Sequence, residues 1–89
     1  MSFNKGDIIT NKCGCIGLYD HEDEGVYVKI FLKKCYSNVR NPKLLKKESY
    51  FNSPRLATEV EKYEFKKALI KEGLYYSESN KTILVNNEF

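Results

Sequence analysis

The segment VYVKIFLK at residues 26–33 constrains the fold most, because aliphatic side chains alternate there with aromatic and basic ones. Successive side chains of a β-strand point to opposite faces of the sheet, so this period of two predicts a strand over residues 26–34. One predicted face is aliphatic: Val26, Val28, Ile30 and Leu32. The other predicted face is aromatic and basic: Tyr27, Lys29, Phe31 and Lys33. We expect the aliphatic face to build the core and the other face to look outward.

An acidic segment precedes this strand and separates it from an earlier apolar run at residues 16–20. Its four carboxylates are Asp20, Glu22, Asp23 and Glu24. Gly25 follows them and is expected to adopt a positive φ angle at the exit of the turn. The two runs therefore predict an antiparallel hairpin with the acidic segment as its loop. A further strand is predicted around IIT at residues 8–10.

The stretch ATEVEKYEFKKALIKEG predicts the main helix, over about residues 59–72. Thr58 and Glu61 have the spacing of a capping box, and Gly73 is a C-terminal stop. One helix face carries Phe65, Ala68 and Leu69. A second apolar patch consists of Val60, Tyr63 and Ile70. We expect this patch to pack under a loop or terminal strand, the alternative being a contact surface.

The remaining segments complete an α+β fold. Residues 43–47 suggest a single helical turn, residues 49–52 a short strand, and residues 74–85 a closing hairpin with Asn80 and Lys81 near its turn. The 89 residues are expected to form one domain, residues 1–89. The predicted architecture is a small antiparallel sheet, or a five-stranded barrel-like fold, with one main helix packed on it.

The residues that could support catalysis or metal binding are few. The three cysteines, Cys13, Cys15 and Cys35, and the single histidine, His21, leave a cysteine–histidine nucleophile or a zinc site as weaker alternatives. The acidic segment lacks the spacing of a calcium loop. We therefore predict no enzyme, no cofactor and no metal. The odd number of cysteines, with no signal segment or membrane span, predicts a protein of the cytoplasm.

A basic and aromatic stretch offers the best candidate for binding a partner. Residues 25–47 contain seven lysines and arginines and no acidic residue. The predicted partner-binding residues are Tyr27, Lys29, Phe31, Lys33, Lys34, Arg40 and Lys43, together with Asp20, Glu22, Asp23 and Glu24. Cations with interleaved rings suit nucleic acids, whereas carboxylates beside them suit a basic protein groove.

Two pieces of the chain resemble a family. FNKGDII at residues 3–9 and LATEVEKYEFKKALIKEGLYYSESNKTI at residues 56–83 are similar to small uncharacterised accessory proteins carried by bacterial phages and prophages. Residues 35–53 have no counterpart in that resemblance. It implies no catalytic residues. It does imply a phage-borne protein made in the bacterial cytoplasm.

Three functional hypotheses follow. The first is a non-catalytic binding protein that inhibits or modulates a host nucleic-acid-handling machine, such as an RNA-guided defence nuclease or its RNA complex, as anti-CRISPR proteins of similar size do. The second is a small RNA- or DNA-binding module that uses the basic and aromatic strand. The third is a phage structural subunit that self-associates through the second apolar patch of the helix. No membrane partner is expected, and the oligomeric state stays open.

Overall fold

The computed structural model describes residues 3–34 and 42–85. Eight strands and one helix follow one another in the order β-β-β-β-β-β-α-β-β. The strands are β1 (Ile8–Thr10), β2 (Ile16–Glu22), β3 (Val26–Lys33), β4 (Lys43–Leu45), β5 (Ser49–Phe51), β6 (Arg55–Leu56), β7 (Leu74–Ser77) and β8 (Thr82–Val85). The helix is α1 (Glu59–Lys71). The predicted strands near residues 8–10, 16–20, 26–34 and 49–52 are confirmed. The helix is confirmed within one residue.

The main sheet is antiparallel throughout the described residues, in the order β4-β3-β2-β1-β6. Strands β4 and β5 pair with the same edge of β3. Strand β4 pairs with residues 31–33, and β5 pairs with residues 26–28. β4 and β5 thus act as one interrupted edge strand. The backbone N–H of Lys12 donates to the carbonyl of Asn52 at 2.9 Å, which draws the end of β5 toward β1. The sheet curls without closing, so the antiparallel sheet is confirmed and the barrel alternative is not realised.

The helix starts and stops where its local chemistry predicts. The Thr58 hydroxyl accepts from the Glu61 backbone N–H at 3.3 Å, and the Glu61 carboxylate accepts from the Thr58 backbone N–H at 2.8 Å. Arg55 donates twice to the same carboxylate, each bond 2.9 Å long. The hydrogen bonds from Arg55 lower the pKa of Glu61 to about 2. Partial burial acts in the opposite direction, and the hydrogen bonds with Thr58 lower the pKa further. Gly73 follows the helix with a φ of 77°.

Two apolar clusters lie on opposite faces of the main sheet. The helix-side cluster contains Ile8, Ile16, Leu32, Ala57, Phe65, Leu69 and Leu74. The far-side cluster contains Ile9, Cys15, Tyr19, Val26, Val28, Phe31 and Phe51. The neighbours Ile8 and Ile9 enter different clusters because adjacent strand residues face opposite sides. The sheet is therefore covered on both faces over much of its length, and α1 covers only one of them.

Two irregularities in the pairing of β2 with β3 decide which side chains share a face. The cross-strand partners are Gly17 with Phe31, Tyr19 with Val28, and His21 with Tyr27. Between the first two of these pairs β3 has one more residue than β2, and between the last two pairs β2 has one more residue than β3. Such a bulge turns the side chains beyond it to the other face. Val26 and Val28 join the far-side cluster whereas Leu32 joins the helix-side cluster, so the single aliphatic face predicted for the strand is wrong.

The closing hairpin of β7 and β8 forms a separate two-stranded sheet and packs on the turn that precedes β1. The Tyr76 hydroxyl donates to the Gly6 carbonyl at 2.6 Å, and Lys81 forms an ion pair with Asp7. A side chain at Gly6 would overlap the Lys81 carbonyl, and Gly6 has a φ of 95°. The turn before β1 and the closing hairpin thus meet in one structural contact.

Two predictions outside the main strands are wrong. Residues 43–45 form strand β4 rather than a helical turn, because Leu44 and Leu45 pair with the open edge of β3 opposite Leu32 and Phe31. The second apolar patch of the helix is not packed: Val60, Tyr63 and Ile70 are all more than half exposed. No helix among the described residues has the length and apolar character needed to cross a membrane.

Candidate functional site

Three rings form a ladder across β2, β3 and β5 at the turn end of the β2–β3 hairpin. We call His21, Tyr27 and Tyr50 the tip ladder. The His21 ring stacks on the Tyr27 ring with centroids 5.1 Å apart and an angle of 9° between the planes. Tyr50 meets Tyr27 edge-on at 5.7 Å. Tyr50 is 52% exposed, so the ladder presents aromatic surface to solvent.

Gly25 is what allows Tyr50 to lie at this position. A Cβ atom at Gly25 would overlap the Tyr50 ring, which packs directly over the bare backbone. Gly25 lies in the turn immediately before β3, and an aromatic ring that covers a glycine at the edge of a sheet is a known way of stabilising the sheet. The positive φ angle predicted for Gly25 lies instead at Glu24, whose φ is 56°. Gly25 is therefore needed for the close approach of a ring rather than for its backbone conformation.

The acidic turn beside the ladder consists of Glu22, Asp23 and Glu24, and all three side chains are exposed. The Asp23 backbone N–H donates to the Gly25 carbonyl at 2.9 Å, which closes the turn. Within the residues the structure describes, none of the three carboxylates forms an ion pair. The turn therefore concentrates negative charge at one end of the ladder.

Asp20 behaves differently from the other acidic residues because it is surrounded by cations. Its carboxylate lies 2.7 Å from His21 Nδ1, 3.7 Å from Lys29 Nζ and 4.0 Å from Lys5 Nζ. The hydrogen bond with His21 lowers the Asp20 pKa against the effect of burial, and the two lysines lower it further. Asp20 thus orients His21 in the ladder and offers little charge to a partner.

Phe31 does not belong to the exposed face predicted for it. It is 5% exposed and meets Phe51 edge-on at 6.0 Å in the far-side cluster. Because β3 has its extra residue between Val28 and Phe31, Tyr27 and Phe31 point to opposite faces although they are four residues apart. The predicted common docking face of Tyr27, Lys29, Phe31 and Lys33 is therefore wrong, and Phe31 is a core residue.

The remaining predicted basic residues separate into different environments. Lys34 donates to Glu64 of the helix at 2.6 Å, so its charge is paired within the fold. Lys33 and Lys43 are exposed and lie directly opposite each other on β3 and β4. Arg40 lies outside the described residues. Of the predicted binding residues in ranges 3–34 and 42–85, Tyr27, Lys29 and the acidic residues are therefore the ones that gather at the tip.

The geometry of β2 argues against a joint role for Cys15 and His21 in the catalytic or zinc alternatives, and Cys35 lies outside the described residues. Cys15 is buried and precedes His21 by six strand residues, or roughly 20 Å at about 3.3 Å per residue. No proton transfer or shared metal can join side chains that far apart. Among the described residues, no group of three or more His, Cys, Asp or Glu side chains could hold a metal ion.

The tip ladder and acidic turn together can recognise a cation. Aromatic faces attract lysine and arginine heads within about 6 Å of a ring, and neighbouring carboxylates add charge and hydrogen-bond acceptors. Sequence reasoning missed Tyr50 and His21 as members of this surface. The signal for Tyr50 was its place in a short alternating run, Ser49-Tyr50-Phe51, which could pair with the strand after Gly25.

Comparisons of the chain with protein-family models, with curated proteins and with solved structures found no match.

Proposed function

We propose that this chain is a non-catalytic binding protein that docks the tip ladder and acidic turn on a basic surface of a protein partner. The observation that carries the proposal is the ladder of half-buried His21 and Tyr27 with exposed Tyr50, beside a turn with three carboxylates. Aromatic anchors supply much of the energy in protein interfaces, and rim charges mainly supply steering and specificity.

The partner in this proposal is a bacterial nucleic-acid-handling machine, such as an RNA-guided defence nuclease. Proteins that bind nucleic acids have positively charged channels, which an acidic turn can approach. The resemblance of residues 3–9 and 56–83 to phage-borne accessory proteins supports a role in the host cytoplasm. Occupying such a channel would inhibit or modulate the machine without any chemistry by this chain.

The testing experiment is quantitative affinity purification from bacteria that express the tagged chain. Wild type is compared with Tyr27→Ser/Tyr50→Ser and with Glu22→Gln/Asp23→Asn/Glu24→Gln, and each lysate is treated with nuclease. The matched control is Val60→Ser/Tyr63→Ser, which removes an equal number of exposed apolar side chains from α1. We expect a nucleic-acid-handling protein to be retained by wild type and the control, and at least tenfold less by both tip variants.

Three results would overturn the proposal. The first is equal retention of the partner by the tip variants. The second is loss of every specific protein after nuclease treatment, which would leave only nucleic-acid bridging. The third is recovery of the chain with itself alone, lost in the control variant, which would favour the structural-subunit hypothesis instead.

A further inference from the structure

A basic cleft opens on the sheet face opposite the helix, well away from the tip ladder. Its volume is about 220 Å³. Its lining residues come from the turn before β2 and from β3, β4, β5 and the link between the last two: Asn11, Cys15, Phe31, Lys33, Leu45, Lys47 and Ser49. Phe31, Leu45 and Cys15 form an apolar floor, and the polar residues form the rim.

Every polar side chain on the rim can donate a hydrogen bond, and none is a carboxylate. The Asn11 side-chain oxygen accepts from the Cys13 and Cys15 backbone N–H groups at 3.0 and 2.9 Å, which directs its amide nitrogen elsewhere. Ser49 adds a hydroxyl, and Lys33 and Lys47 add ammonium groups. A rim of this composition matches an anion with several oxygen acceptors.

The lysines of this region destabilise the folded protein, because their like charges lie close together. Lys33 lies directly opposite Lys43 across β3 and β4, and like charges at such a position destabilise a sheet. Within the described residues, no carboxylate lies at ion-pair distance from Lys33, Lys43 or Lys47. The neighbouring segment 35–41 also contains no Asp or Glu. A bound anion would relieve this repulsion.

We propose that the basic cleft binds the phosphate backbone of a single-stranded nucleic acid. The cleft is smaller than the roughly 300–1,000 Å³ of pockets that enclose a drug-sized ligand, so it suits one phosphate group and adjoining sugar rather than a whole cofactor. Lys43 beside it can contact the next phosphate along the strand. The site is separate from the surface in the proposed function and does not depend on it.

The test measures the fluorescence anisotropy of labelled 12-nucleotide RNA and DNA single strands between 50 and 200 mM salt. If three phosphates are neutralised, affinity should fall about twentyfold over that range, from a slope of about 0.7 per phosphate. The double variant Lys33→Ala/Lys47→Ala should weaken binding at low salt and reduce the slope by about 1.4. The control Lys67→Ala/Lys71→Ala removes two exposed helix lysines and should leave both quantities near wild type.

Two competitors separate the ligand classes. Uridine monophosphate and a 12-residue polyglutamate should each compete at least tenfold more weakly than the unlabelled strand. Equal competition by the mononucleotide would replace the strand with a small phosphate ligand, and equal competition by polyglutamate would replace it with any polyanion. Either result overturns the proposal, as does an equal loss of affinity in the helix control. Because the tip variants leave this cleft intact, they should bind the strands as wild type does.

Discussion

Tyr27 and Phe31 are four residues apart on the same strand, and a regular strand would place both rings on one face. Instead Tyr27 stands in a solvent-facing ladder, while Phe31 is sealed among Ile9, Cys15 and Phe51. The extra residue of β3 between them accounts for the difference. One end of β3 therefore holds a partly exposed ring at the surface, and the other end buries a ring that holds the sheet together.

Truncating the two rings should give the largest contrast. Phe31→Ala should lower the free energy of unfolding by about 3–5 kcal/mol, because it leaves a cavity in the far-side cluster. Tyr27→Ala should lower it by only about 1 kcal/mol, which is the size of its contacts with other rings. Urea denaturation at pH 7 measures both, with Lys33→Ala as a neighbour expected to stay within about 0.5 kcal/mol. Equal losses of unfolding free energy in Phe31→Ala and Tyr27→Ala would contradict the difference in burial between the two rings.

Two glycines, Gly17 in β2 and Gly25 in the turn before β3, sharpen the same contrast. A Cβ at Gly17 would lie 3.0 Å from Phe31 Cβ and 3.0 Å from Phe51 Cζ, inside packed core. Gly17→Ala should therefore cost about 1–3 kcal/mol of stability. At Gly25 the new methyl group meets the Tyr50 ring, which is exposed and can swing away.

Gly25→Ala should thus cost less than about 1 kcal/mol, although it disrupts the ladder. Thermal denaturation measures the stabilities, and ring-proton chemical shifts of Tyr27 and Tyr50 report the ladder. Unchanged shifts in Gly25→Ala would contradict the close approach of Tyr50, as would a stability loss greater than that of Gly17→Ala.

Lowering the pH should give the smallest contrast, which is between the carboxylate of Glu61 at the helix cap and that of Asp20 at the tip. The pKa values of Glu61 and Asp20 are both lower in the folded protein than their ordinary 4.5 and 3.8. Each carboxylate therefore stabilises the fold fully above its ordinary pKa, and this stabilisation is lost as the pH falls toward the folded pKa.

At pH 7, Glu61→Gln should lower the free energy of unfolding by about 1 kcal/mol, because it weakens the helix cap. Asp20→Asn should lower it by a few tenths of a kcal/mol, as expected for pairs with exposed lysines. Both differences from wild type should shrink in urea titrations between pH 5 and pH 2. A larger effect at Asp20 than at Glu61 would show that the tip is held more tightly than the helix cap.

The helix and the hairpins could be read from the sequence because their determinants are local. Thr58 and Glu61 fix the start of α1 through contacts within one turn, and Gly73 fixes its end. The acidic turn and the alternating runs beside it were likewise enough to predict the β2–β3 pairing.

The sheet face on which each β3 side chain lies could not be predicted from the sequence, because it depends on bulges that arise only when two strands pair. The pattern Lys-Leu-Leu-Lys-Lys favours a helical turn locally, yet the open edge of β3 recruits residues 43–45 as a strand. Two of the three rings of the tip ladder were missed. Tyr50 was missed for the same reason, since it reaches Tyr27 only through the pairing of β5 with β3.

The bond from Tyr76 to Gly6 joins residues separated by 70 positions, so it closes a very large loop. Contacts of that span form slowly, because most of the intervening backbone must lose conformational entropy before the contact can stabilise it. We therefore expect docking of the final hairpin to be the last step of folding. We also expect it to be the first region to open in the native protein, so amide hydrogens of β7 and β8 should exchange faster than those of β2 and β3.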